Sequence, residues 1–221
     1  MLVSDRFKLL FVHIPKTGGS TIRHLIWTAD DSAYTYKRHH AIMTEEDADK
    51  FKDYYKFTVV RNSYKMCASL YRYMTEKIGG DEPTKGQLRE REMHAKFAKP
   101  HGLVEFLKAY KSTKYDHKSS IDWELEREQE TMAYILKNDP YPSQLEYFSH
   151  EGNILVDDVY QYDRGLDNEL KWLRKKYQFD RIRLNYFGDY DWKSYYNDES
   201  IEYVKQICQK DIEYFDFKFD D

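Results

Sequence analysis

Apolar residues in this chain come in short runs that end at small or charged residues, with helix-spaced segments between them. Residues 8–14, Lys-Leu-Leu-Phe-Val-His-Ile, form a nearly continuous apolar run of strand length, the pattern of a strand buried on both faces. Residues 19–29 follow with Ile22, Leu25 and Ile26 on one face, the spacing of a helix. Residues 30–40 are polar and irregular and end in Lys37-Arg38-His39-His40. Thr44 with Asp47 three positions later resembles a capping box and opens a helix over 44–53. Lys56-Phe-Thr-Val-Val60 is a second strand rich in β-branched residues, and 64–77 is helical with Met66, Leu70, Tyr73 and Met74 on a common face.

Residues 79–101 carry Gly, Pro and charge without period, the character of a mobile or substrate-facing loop. A short helix is expected over 103–111 and a charged helix over 121–137, broken by Asp139-Pro140-Tyr141-Pro142. Residues 153–162 alternate as a strand, 166–177 form an amphipathic helix, and 198–214 a final helix. Strands alternating with helices predict an α/β fold, a parallel β-sheet flanked by helices. Ligands of such sheets sit at the carboxyl ends of the strands. The turns at Lys16 and Arg61 both fall there.

The chain has 221 residues with no linker, low-complexity tract or internal repeat, so residues 1–221 read as a single domain. Charged residues make up 33%, but the signs are interspersed and 41% of residues are apolar, which argues for a folded globule. A net charge of −4 gives no general nucleic-acid footprint, yet leaves room for a local basic pocket. Two cysteines, Cys67 and Cys208, show no metal spacing and read as core thiols in a reducing compartment. The first residues contain no apolar leader and no segment reaches membrane-spanning length, so the expectation is a cytoplasmic protein without a membrane span. No feature of the pattern specifies an oligomeric state.

Two motifs carry chemistry. The first is Pro15-Lys16-Thr17-Gly18-Gly19-Ser20-Thr21, directly after the first strand and at the start of a helix. Backbone N–H groups at a glycine turn and a helix N-terminus cradle anions, and the glycines let the backbone come close. It is not a Walker A loop, because the lysine precedes the glycines. Lys16 is placed to follow negative charge onto a leaving oxygen. The ordinary reading, a βα turn with a solvated lysine, suits a bare glycine pair better than this whole string. The second motif is Val59-Val60-Arg61-Asn62-Ser63-Tyr64-Lys65-Met66-Cys67-Ala68-Ser69-Leu70-Tyr71. An arginine ends a strand, and Ser69 lies two helical turns on. The planar, permanently charged guanidinium suits a phosphate, with Ser69 as a second donor. Taken alone, a strand-end arginine paired with a carboxylate and a core-facing serine is the better explanation of this motif.

Taken together, the motifs resemble those of the P-loop-like sulfotransferases that use 3′-phosphoadenylyl sulfate (PAPS), in particular the carbohydrate branch that includes heparan sulfate 2-O-sulfotransferases and small bacterial relatives. Phe11 to Thr21 is similar to that family's 5′-phosphosulfate loop, and Phe57 to Tyr71 to its 3′-phosphate motif, V-R-[ND]-P-x-x-R-x-x-S-x-Y. Weaker likeness runs through 102–107, 154–162 with Leu166, Tyr195-Tyr196 and 211–215, so it spans nearly the whole chain. The resemblance implies a P-loop nucleotide hydrolase-like sulfotransferase fold and transfer of a sulfuryl group from PAPS to an acceptor hydroxyl, on a carbohydrate or another small molecule, with PAP as product and no metal. It implies Lys16 as the catalytic lysine, Thr17, Gly18, Gly19, Ser20 and Thr21 around the 5′-phosphosulfate, and Arg61 with Ser69 on the 3′-phosphate. Gln144 falls where the family often has a substrate-region glutamine. Ser63 stands in place of the usual proline and Met66 in place of a frequent arginine, and neither removes a phosphate ligand. The family's basic N-x-S region is replaced by Asn185-Tyr186-Phe187, so no C-terminal nucleotide contacts are assigned.

Sulfuryl transfer needs a base for the acceptor hydroxyl, and a histidine suits it. His39 and His40 fall in the interval where the family places one; His40 is favoured because a small residue follows. His13, inside a strand, reads as structural. The 21 tyrosines read mainly as packing residues, some able to stack on adenine or a sugar. Two other classes stand beside this reading. A P-loop nucleotide kinase or phosphotransferase lacks the Walker lysine position and a clear Mg²⁺-binding aspartate after a strand. A non-catalytic nucleotide-binding relative would have no need of Lys16 or a candidate base.

Overall fold

Leu9 to Val12 alternate between two buried faces, and that alternation organises the molecule. Leu10 and Val12 pack with Met43, Phe51 and Phe148, while Leu9 and Phe11 pack with Ile22, Ile26, Phe57 and Leu166. A strand apolar on both sides needs cover on both sides, hence helices above and below the sheet. The computed structural model of the chain describes residues 1–77, 85, 87–88, 92, 102–107, 143–179 and 190–221. The charged helix expected at 121–137, the break at 139–142, most of the 79–101 loop and Asn185-Tyr186-Phe187 lie outside the described residues.

The elements are β1 (Leu2–Ser4), β2 (Leu9–Val12), α1 (Gly19–Ala29), β3 (Tyr34–Thr35), α2 (Glu45–Lys50), β4 (Tyr55–Val60) and α3 (Ser63–Arg72), the last extended by a π-helical turn, Tyr73–Lys77. After a helical stretch at 102–107 come β5 (Ser149–His150), β6 (Asn153–Ile154), β7 (Asp158–Gln161), α4 (Leu166–Glu169), α5 (Lys171–Tyr177), α6 (Asp198–Ile207) and α7 (Gln209–Phe215). The main sheet has the order β3-β1-β2-β4-β7, and β5 and β6 form a separate hairpin.

The fold is α/β, but the sheet is mixed rather than parallel throughout. β2, β4 and β7 are parallel neighbours, as the alternation of strands and helices implies, whereas β1 runs antiparallel to both β2 and β3. The reason is local. Residues 5–8 turn tightly between β1 and β2, with Lys8 at φ +50°, and so short a connection joins only antiparallel strands. The strand expected at 153–162 divides at a bend into β6 and β7, the helix at 166–177 divides at Leu170, and that at 198–214 divides at Cys208. The capping box at Thr44 is present with both of its bonds to Asp47. A second core joins α3 to 102–107 and α6 through Cys67, Leu70, Phe106, Leu107 and Val204. β4 and β7 end side by side at Val60 and Gln161, and the parallel β2 ends at Val12 beside Thr58, so the chain after each of them emerges on one edge. No helix among the described residues is long and apolar enough to cross a membrane.

Candidate active site

The loop after β2 turns through two left-handed residues, Lys16 at φ +63° and Gly18 at φ +87°, and enters α1 at Gly19. Gly18 serves as N-cap without a side chain, so no side-chain oxygen covers the first turn of α1, and that turn holds no acidic residue. Its N–H groups and dipole therefore face the space in front of the loop. Neighbouring rings exploit both glycines. A Cβ on Gly18 would come within 2.7 Å of the Tyr162 ring, and one on Gly19 within 1.9 Å of His13 Cδ2.

That space is a cleft of about 310 Å³. Its walls bring together Lys16, Gly18, Gly19, Ser20, Thr21, Arg61, Ser69 and His40, eight of the residues singled out from the sequence, from three separate chain segments. Thr17, His39 and Gln144 are not on the wall. Thr17 is fully buried and its hydroxyl donates to the Ile14 carbonyl at 2.9 Å, so it shapes the loop from behind. The His39 ring nitrogens meet Arg23 Nη2 at 3.3 Å and Thr35 Oγ1 at 3.4 Å. The Gln144 side chain is spent on the Arg61 main chain, accepting from its N–H at 2.8 Å and donating to its carbonyl at 2.7 Å.

Lys16 is half-buried, with Nζ 3.8 Å from the centre of the Tyr73 ring. Burial, and then the nearby Arg61 cation, bring its ammonium pKa down to about 7. Tyr73 opens the π-helical turn after α3, a deviation that often marks functional positions. The Arg61 guanidinium lies over Tyr162, 4.7 Å from its ring centre, and Nη1 donates to the Lys16 carbonyl at 3.2 Å. Its Nε is buried without a hydrogen-bond partner among the described residues, the Asp163 carboxylate standing 3.9 Å away. The two anion-binding motifs are thus tied directly to one another.

The His40 Nδ1–H donates to the His13 carbonyl at 3.1 Å, which leaves Nε2 as the lone-pair nitrogen. Burial pulls its pKa to about 4, so the ring is neutral at pH 7. His13 packs 4.3 Å from His40, centre to centre, and burial holds it well below the usual imidazole range too. Arg23, on the same wall, has a buried Nε without a hydrogen-bond partner among the described residues and stacks on Trp27.

Sequence reasoning missed Tyr162, Tyr73 and Arg23 as wall residues and favoured a structural part for His13 over contact with the cofactor; His13 lies on the wall. Tyr162 was within reach, since it directly follows a strand that ends at the ligand edge of the sheet. Tyr73 and Arg23 carry no motif. Among the described residues no group of three or more His, Cys, Asp or Glu side chains stands together as a metal site. Comparison with protein-family models, with curated proteins and with solved structures returns no match.

Proposed function

We propose that this protein is a sulfotransferase that moves a sulfuryl group from PAPS to an acceptor hydroxyl, with a carbohydrate as the favoured acceptor class. The observation that carries the reading is the assembly of one cleft from the Lys16 loop, the open N-terminus of α1, Arg61 with Ser69, and the neutral His40. A phosphosulfate has its natural place on the loop and helix N-terminus. Arg61, with a buried Nε lacking a hydrogen-bond partner among the described residues, and Ser69 suit the 3′-phosphate. The carbohydrate acceptor rests on the motif resemblance.

In this reading the acceptor oxygen attacks the sulfur as the bond from sulfur to the bridging oxygen of the 5′-phosphate breaks. His40 Nε2 takes the hydroxyl proton. Lys16, in its charged form, stabilises the negative charge that collects on the bridging oxygen. Catalysis is positioning and electrostatics, as in phosphoryl transfer. The donor, with two negative charges on its phosphosulfate and nearly two more on its 3′-phosphate, raises the pKa of both groups on binding, which keeps Lys16 charged and makes His40 a stronger base.

The test is a thermal-shift titration with PAP, AMP and ATP. AMP differs from PAP only by the 3′-phosphate. A ligand at 100 times its Kd stabilises by about 2.7 kcal/mol, a shift that is easily measured. Stabilisation by PAP well above that by AMP, followed by PAP release from PAPS in the presence of saccharide acceptors, is the expected result. Stabilisation by ATP and not by PAP would overturn the reading and favour a phosphotransferase.

A further inference from the structure

The Arg61 main chain sits one residue beyond the sheet. β2 reaches only as far as Thr58 through Val12, and β7 only as far as Val60 through Gln161. The Arg61 N–H and C=O therefore have no strand to pair with, and left unpaired they would destabilise the chain there. The Gln144 side chain fills the gap. A primary amide offers the same donor and acceptor as a peptide group, and Gln144 presents both to Arg61, at 2.8 and 2.7 Å, from 83 residues away. It is a one-residue substitute for a neighbouring strand.

Gln144 is itself held. Its backbone N–H donates to the Asp211 carboxylate at 2.6 Å, and Leu145 N–H and Ser143 Oγ donate to the same carboxylate at 3.1 and 3.3 Å. Asp211 is fully buried in α7, and Gln144 is 1% exposed. A cap on the 144–147 turn needs Asp211 but has no use for the Gln144 side chain, whose two hydrogen bonds among the described residues both go to Arg61. The next residue, Asn62, is fixed as well, with its N–H on Asp163 at 2.6 Å and its side-chain amide on the Lys218 carbonyl at 2.7 Å.

We infer that Gln144, anchored by Asp211, is a positioning residue for the 3′-phosphate site: it sets the main chain of Arg61 so that the guanidinium enters the cleft between Tyr162 and the Lys16 carbonyl. The inference rests on the sulfotransferase reading and deepens it, because it makes donor selectivity depend on a pair outside the cleft. Gln144 touches no ligand in this account. It acts on the one residue that distinguishes a nucleotide with a 3′-phosphate from one without.

The experiment measures Kd for PAP and for AMP by calorimetry in the wild type and in Gln144→Met, which keeps length and volume and loses both bonds. The expected result is a wild type that prefers PAP and a variant in which the PAP-to-AMP preference falls at least tenfold, while AMP affinity changes less than threefold. A purely structural role would lower melting temperature or weaken both ligands alike. Gln144→Glu, which keeps the acceptor and loses the donor, gives an intermediate preference and carries the test should Gln144→Met fail to fold. A wild type that prefers PAP with an unchanged preference in the folded variants overturns the inference and leaves the proposed function standing. A wild type with no preference for PAP overturns both.

Discussion

Replacing Gly19 by alanine sets two ordinary effects against each other, and the geometry decides between them. Gly19 is the first residue of α1 and its φ is not positive, so the backbone accepts alanine without strain. In open surroundings the exchange would stabilise the helix by up to about 1 kcal/mol. Here the new Cβ would lie 1.9 Å from His13 Cδ2 and 2.1 Å from Nε2, where carbon contacts normally rest at about 3.5–4.0 Å. His13 cannot retreat freely, because it is buried, with Phe11 5.6 Å and His40 4.3 Å away between ring centres. Overpacking of this kind costs about 1–3 kcal/mol. The net expectation for Gly19→Ala is a loss of about 1–2 kcal/mol, at roughly 2–4 °C of melting temperature per kcal/mol for a chain of this size. Urea denaturation reads the loss, and a double-mutant cycle identifies its cause. His13→Ala in the Gly19→Ala background removes the clash, so the double variant should be more stable than the sum of the single losses implies. Gly152 is the control, with φ +85° and nothing within 4 Å of a Cβ, so its alanine variant shows a backbone penalty and no coupling to His13. Gly19→Ala as stable as wild type, with an additive cycle, would refute the argument.

Three further outcomes are expected. Because His40 must be neutral and Lys16 charged, kcat/KM for sulfuryl transfer should be level between the free-enzyme values of about 4 and about 7 and fall as pH rises past 7; Lys16→Arg should remove the alkaline fall, and a fall that persists in that variant would clear Lys16 of the role. Arg61→Ala should weaken PAP by about 1.5–3 kcal/mol, the scale of a charge-assisted bond, and leave AMP nearly unchanged in calorimetry; equal losses for both ligands would remove Arg61 from the 3′-phosphate. Burial pushes the Asp47 carboxyl up, but bonds from Lys37 Nζ at 2.7 Å and from Thr44 N–H and Oγ1 at 3.0 Å outweigh it and hold the group below the usual carboxylate range. A lowered folded pKa means stability present above the unfolded value and lost as pH falls below it. Asp47→Ala should therefore cost about 1 kcal/mol, the worth of a cap, at pH 7 and much less at pH 3 by urea denaturation; an equal cost at both would show that charge plays no part.

What could be read from the chain and what could not divide along sequence distance. Helix α1 spans 19–29 as expected because its signals, a glycine turn and apolar positions at Ile22, Leu25 and Ile26, lie within eleven residues. The capping box at Thr44 and strand β4 were legible for the same reason. β1 was not seen as a strand, since three residues have no period of their own; Leu2, Val3 and Ser4 become a strand only through their register with Phe11, Leu10 and Leu9. The breaks at Leu170 and Cys208 were invisible too, because the apolar spacing runs on across each of them. In the cleft, the residues named from motifs are those that act through local geometry: a lysine on a loop, and an arginine and a serine two turns apart. Tyr162, Tyr73 and Gln144 act through partners 144, 57 and 83 residues away, Gly18, Lys16 and Arg61 respectively. Gln144 shows the limit most clearly. The family resemblance set it in the substrate region, yet the fold spends its amide on the backbone of another motif. A side chain's chemistry is visible in sequence, but the group on which it is used is a property of topology, because β4 ends one residue short of Arg61 and something distant must complete the pairing.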